Sequence, residues 1–168
     1  MRTLRLVIVS LLTLVALAVG VSPATAAQGC GTPSRCRGVS AVATGQGQFN
    51  ADGSIDTTAT ATKDPLLKGT LAGHFQPTGG SSSDLSFAGD ITLSTKKGTL
   101  TVDVTGAVST ATGDFQTSGP VTAGTGKFTG ATGHLVFTGN QGRTGAFTET
   151  MDGKICLDKR HVEAVPPS

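Results

Sequence analysis

The chain has 168 residues, with 13 Lys and Arg against 11 Asp and Glu, a formal net charge of +2, seven Phe, and neither Tyr nor Trp. A balance so close to neutral leaves no electrostatic footprint for nucleic acid or an anionic membrane surface. The length is that of one domain with one core.

Residues 1–26 read as an export signal. Arg2 and Arg5 form a basic start, Leu6 to Val21 is an almost unbroken apolar run, and Ala24-Thr25-Ala26 supplies small residues at the cleavage positions. The run is short for a bilayer span and has no basic flank on its C-terminal side. The expected product is secreted, free of the membrane after cleavage, and nearly neutral once Arg2 and Arg5 are gone. Residues 27–38 carry Cys30 and Cys36, and Cys156 lies near the other end. Export favours a disulfide. A bridge from Cys156 to Cys36 or Cys30 would tie the chain ends, and a local Cys30–Cys36 bridge is the competing choice. With no CxxC and no paired histidines, no metal site is expected.

From residue 39 to 158 the pattern has period two, broken by turn residues. Ala41, Ala43, Gly45, Gly47 and Phe49 share one phase, and Asp52-Gly53 turns the chain into Ile55, Thr57, Ala59 and Ala61. After Pro65 come Leu67, Gly69, Leu71, Gly73 and Phe75, ended by Pro77 and a Gly79 to Ser83 loop. Leu85, Phe87, Gly89, Ile91 and Leu93 lead through Lys96-Lys97-Gly98 to Leu100, Val102, Val104, Gly106 and Val108, a hairpin with its apolar face inward. Ala111, Gly113, Phe115 and Thr117 follow, then Leu135, Phe137 and Gly139, then Gly145, Phe147, Glu149 and Met151. Asp152-Gly153 reads as a last turn into Ile155 and Leu157, and residues 159–168 as a charged, Pro-containing tail. Eight or nine short, evenly spaced strands predict an all-β domain. An antiparallel meander loses its exposed edges by closing on itself, so an eight-stranded barrel is expected, with a β-sandwich as the alternative. Glycine at inward positions favours the barrel, where strands bend at corners.

Gly124-Thr-Gly-Lys-Phe-Thr-Gly-Ala-Thr-Gly133 invites a phosphate-loop reading. A P-loop needs a glycine where Val121 stands and Ser or Thr where Phe128 stands, and a dinucleotide fingerprint needs glycine in place of Thr129. The stretch instead resembles the GTG-x-F-x-G-A-x-G signature of the allene oxide cyclase-like and dirigent-like barrel proteins, filled by Gly124, Thr125, Gly126, Phe128, Gly130, Ala131 and Gly133. That resemblance implies an eight-stranded antiparallel barrel with this segment leading into a late strand, and an apolar cavity used to shape a cyclisation or to guide radical coupling. On physical grounds the glycines permit a tight turn from which Phe128 plugs a barrel end.

Glu149 shares the inward phase with Phe147 and Met151, and Arg143 falls on the same phase. Buried together, they would form an acid and its charge partner able to donate a proton or orient a polar ligand. The competing reading leaves Arg143 in the Asn140 to Gly142 turn and has a bulge at Gly145 turn Glu149 outward. Phe87, Leu100, Val102, Phe115, Phe137, Phe147 and Met151 are the expected apolar lining. His74 and His134 lie on the outward phase and read as surface, and no nucleophile elbow occurs. The function expected is a non-enzymatic secreted barrel that binds an apolar small molecule or serves as a scaffold, without a cofactor. The alternatives are a cofactor-free isomerase or cyclase using Glu149 and Arg143, and an interaction or inhibitor module acting through the Thr78 to Ser83 loop.

Overall fold

A computed structural model describes residues 34–158, which form one closed antiparallel barrel in simple meander order. The strands are β1 (Ser34–Phe49), β2 (Ile55–Thr62), β3 (Gly69–Gly80), β4 (Asp84–Thr95), β5 (Gly98–Ser109), β6 (Asp114–Gly124), β7 (Thr132–Gln141) and β8 (Ala146–Asp158), with one 3₁₀ turn at Gly126–Phe128. The export signal, Cys30 and the C-terminal tail lie outside the described residues.

Alternation produces the wall. Along β2, Ile55, Ala59 and Ala61 are buried and Asp56, Thr58, Thr60 and Thr62 are exposed. In β3, Leu71, Gly73 and Phe75 face in while Thr70, Ala72 and His74 face out. A one-residue slip would invert every such assignment, so the buried face fixes the register. The barrel closes where β1 pairs with β8, continuously from Ser34↔Asp158 to Gln46↔Ala146. Each of the eight strands thus has two neighbours and no edge is left open.

Three readings of the sequence are corrected here. Asp152-Gly153 is not a turn: β8 runs straight through it, with Asp152 opposite Ser40 and Gly153 opposite Leu135. An Asp-Gly pair marks a turn only when the flanking strands can pair with each other, and here β1 and β7 already hold both sides of β8. Ala111 and Gly113 belong to the β5–β6 turn, where the Gly113 amide bonds to the Ser109 carbonyl. The barrel also starts earlier than residue 39, because Ser34 to Gly38 pair with the end of β8.

Antiparallel order sorts the turns to two ends. One end holds both chain ends of the barrel with the β2–β3, β4–β5 and β6–β7 connections. It is stoppered by Leu66, Leu67 and Phe128, all buried, and its loops are laced together: Lys97 Nζ donates to the Pro65 carbonyl at 3.0 Å and the Thr99 amide to Thr125 Oγ1 at 3.0 Å. The opposite end holds the β1–β2, β3–β4, β5–β6 and β7–β8 turns. Cys36 and Cys156 face each other across the closing β1–β8 seam and are joined by a disulfide. This is one of the two pairings with Cys156 that the sequence left open.

The glycine-rich stretch forms the β6–β7 connection at the stoppered end. Gly126 and Gly130 take φ of +57° and +68°, the left-handed region that a side chain disfavours. A Cβ on Gly124 would fall 2.3 Å from the Phe128 carbonyl oxygen. The chain therefore folds back tightly enough to drive Phe128 into the interior, as expected of a plug.

Candidate ligand cavity with a buried carboxyl

Glu149 lies midway along β8, opposite Ala43 of β1 and Gly139 of β7. Its alternation with Phe147 and Met151 turns it into the barrel, and it is only 7% exposed. Gly139 makes the space: a Cβ there would lie 2.6 Å from the Phe115 ring and 2.9 Å from Glu149 Cβ. The inward glycine thus lets an aromatic ring and a carboxyl share one level of the interior.

A cavity of about 60 Å³ opens above Glu149 toward the unstoppered end. Phe75, Phe87, Phe115 and Phe147 ring it in two edge-to-face pairs, with centroids 5.3 Å apart for Phe75–Phe87 and 6.1 Å for Phe115–Phe147. Aliphatic surface comes from Ile55, Ala59, Leu71, Ile91 and Val108. The polar groups besides Glu149 are Thr57, Thr117 and Gln141. Thr117 Oγ1 already donates to the Thr105 carbonyl at 2.9 Å, leaving its lone pairs available. Val108 and Gln141 also line a shallow outer groove with Phe49, Leu85 and Arg143, so the cavity continues into a vestibule at the barrel mouth. Phe49 stands 61% exposed there, the one large apolar side chain so exposed among the described residues.

The carboxyl of Glu149 makes no hydrogen bond or ion pair with any described residue. Burial in apolar surroundings disfavours its charged form and pushes its pKa up from 4.5 to about 7. Of the two readings of this pair each is half right: Glu149 faces inward, no bulge turning it out, but Arg143 stands in the turn and the two do not pair. Arg143 is exposed in the β7–β8 turn, beyond the end of β7, so strand parity does not govern its direction. Of the expected apolar lining, Phe87, Phe115 and Phe147 border the cavity, whereas Leu100, Val102, Phe137 and Met151 do not. Those four lie deeper, in the solid core toward the stoppered end, and are buried by one another and by Leu93, Leu135 and Ile155. Parity told which residues face inward but carried no information about depth. Phe75, Thr117 and Gln141 are lining residues that the same parity marked as inward or left unassigned, and only the position of the open end singles them out.

Outside the wall, His74 Nδ1 sits 2.7 Å from Asp56 Oδ1, and that hydrogen bond raises the His74 pKa, helped by the charges of Asp56, Asp90 and Asp52. Both side chains are solvated, and the pair is a surface feature remote from the interior. The first half of the Thr78 to Ser83 segment is strand, because β3 runs on to Gly80 past a register shift between Pro77 and Gly79. The three-serine turn that remains is tied down by Ser81 N donating to the Asp84 carbonyl and Thr110 Oγ1 donating to the Ser82 carbonyl. Protein-family models and curated proteins give no match to this chain.

Proposed function

We propose that the protein is an exported barrel that takes a compact apolar ligand through its unstoppered end and anchors it on Glu149. The observation that carries this reading is the unpartnered carboxyl on the floor of an otherwise apolar cavity. The carboxyl oxygens are open to the cavity and not sealed against protein, so it is what enters the cavity, water or a ligand, that must satisfy them. Natural ligand sites have this composition, largely apolar walls with a few polar groups that fix orientation. A water needs roughly 10–15 Å³ of such space, so the cavity has room for about five heavy atoms, with any remainder of the ligand lying in the vestibule.

The disulfide is consistent with an oxidising, extracellular location. The outward positions carry Thr, Ser, Asp and Lys, opposite to the lipid-facing apolar band of a membrane barrel. Kinship with the allene oxide cyclase-like and dirigent-like barrels is part of the proposal, supported by the glycine signature and by the eight-stranded meander that carries it. A second reading, cofactor-free acid–base catalysis, is favoured by one fact: a carboxyl with a pKa of about 7 is poised to give and take a proton near neutrality.

Native mass spectrometry of the protein from its culture medium, beside an Ala59→Leu variant, tests the binding reading. The Ala59 side chain borders the cavity, and a leucine there occupies it. A small molecule that accompanies the wild type and is lost from the folded variant is the expected result. Equal mass additions to both, or none to either at saturating ligand, would count against it. A captured molecule that leaves chemically altered would favour catalysis.

A further inference from the structure

We propose that the ligand is a small organic cation, an alkylammonium whose charged nitrogen meets Glu149 inside a ring of phenylalanines. The inference rests on the binding role proposed above and narrows it to one chemical class.

The interior offers one charged group and no countercharge. Among the described residues no Lys, Arg or His borders the cavity, and Arg143 stays outside in the vestibule. A carboxylate held there is satisfied either by a proton or by a cation brought from solution. The walls favour the cation. Phe75, Phe87, Phe115 and Phe147 enclose the space with π-surface, and an ammonium near aromatic rings gains attraction that grows when both are desolvated. Thr57, Thr117 and the amide oxygen of Gln141 supply acceptors for the remaining N–H groups of a primary ammonium.

The entrance agrees with the interior. The four turns at the open end and the strand residues beside them carry Asp52, Asp84 and Asp114, with Asp56 paired to His74, against Arg143 among the described residues. The other Lys and Arg among the described residues gather toward the stoppered end, on Arg35 and Arg37 of β1, on Lys154 of β8 and on Lys63, Lys68, Lys96, Lys97 and Lys127 of its turns. A mouth of net negative charge raises the local concentration of cations and repels acids. The size is that of a short alkyl chain with its nitrogen, since the cavity of about 60 Å³ admits about five heavy atoms.

The test compares n-butylammonium with its neutral isostere n-butanol and its acidic counterpart butanoate at pH 8, by NMR titration of the cavity-lining methyl signals. The expected outcome is binding of n-butylammonium at least about tenfold tighter than of n-butanol, no measurable binding of butanoate, and collapse of the preference to within about twofold in Glu149→Gln. The variant's own spectrum reports that it is folded. Equal or tighter binding of n-butanol, or preferential binding of butanoate, overturns the cation assignment and leaves a small-molecule barrel standing. Failure of all three to perturb the cavity signals overturns both readings. A cation preference that survives Glu149→Gln also overturns the proposal, because it would place the selectivity on the acidic rim.

Discussion

Phe128 shows how much one side chain decides. It is fully buried at the stoppered end, held there by a 3₁₀ turn flanked by Gly124, Gly126 and Gly130. Truncating a buried phenylalanine removes its transfer free energy and leaves a void, together about 3–5 kcal/mol. Phe128→Ala is therefore expected to lower the unfolding free energy by that much while leaving the mouth and Glu149 in place. Chemical denaturation measures the first, and a retained n-butylammonium response measures the second. A loss below about 1 kcal/mol would mean that Leu66 and Leu67 close this end without it. The plug was legible in the sequence because the phosphate-loop templates failed at Val121, Phe128 and Thr129, leaving a tight turn as the use of so many glycines. For Arg143 the sequence left two placements open, inward by parity or in the turn, and the turn is where it stands. Its parity with Glu149 meant nothing once the chain between them turned, and a turn boundary shifts by a residue or two without changing the hydrophobic pattern.

At the level of strands, period-two burial made most of the barrel readable, because an inward side chain and an outward one differ in polarity at every step. The error at Asp152-Gly153 arose from judging a turn by its dipeptide alone. What keeps β8 straight is pairing with β1 and β7, partners that are remote in sequence for β1 and invisible to a local window. The same seam carries the disulfide, which spans 120 residues. Cross-linking so long a segment restricts the unfolded chain by about 5 kcal/mol in the chain-entropy treatment, and losing native bridges from small domains commonly costs about 2–5 kcal/mol. The double variant Cys36→Ser/Cys156→Ser should lose stability in that range, read as a shift in the urea midpoint beside the oxidised wild type. An unchanged midpoint would show that backbone pairing alone secures the β1–β8 closure.

For the molecule as a whole, the two barrel ends differ in kind. One is basic, laced by hydrogen bonds and stoppered, and the other is acidic and leads to a cavity with an unpartnered carboxyl. Which end is open, and how deep each inward residue sits, depend on closure between the first and last strands. That is why Leu100, Val102, Phe137 and Met151 looked from sequence like lining and proved to be solid core. The cavity also leaves a thermodynamic mark. The Glu149 pKa is raised in the folded protein, from 4.5 to about 7, so between those values the folded state holds a proton that the unfolded state has released. Stability from this group is intact below pH 4.5, falls as pH rises through that window, and is lower by about 3 kcal/mol above it. A bound cation would offset that loss, since it binds the ionised, folded form. The most direct measurement is a carbon-detected NMR titration of the Glu149 carboxyl in ligand-free protein, its signal assigned by its disappearance in Glu149→Gln. A midpoint of about 7 is the result predicted; one near 4.5 would contradict it, because the carboxyl would then be well hydrated or paired instead of desolvated by apolar walls.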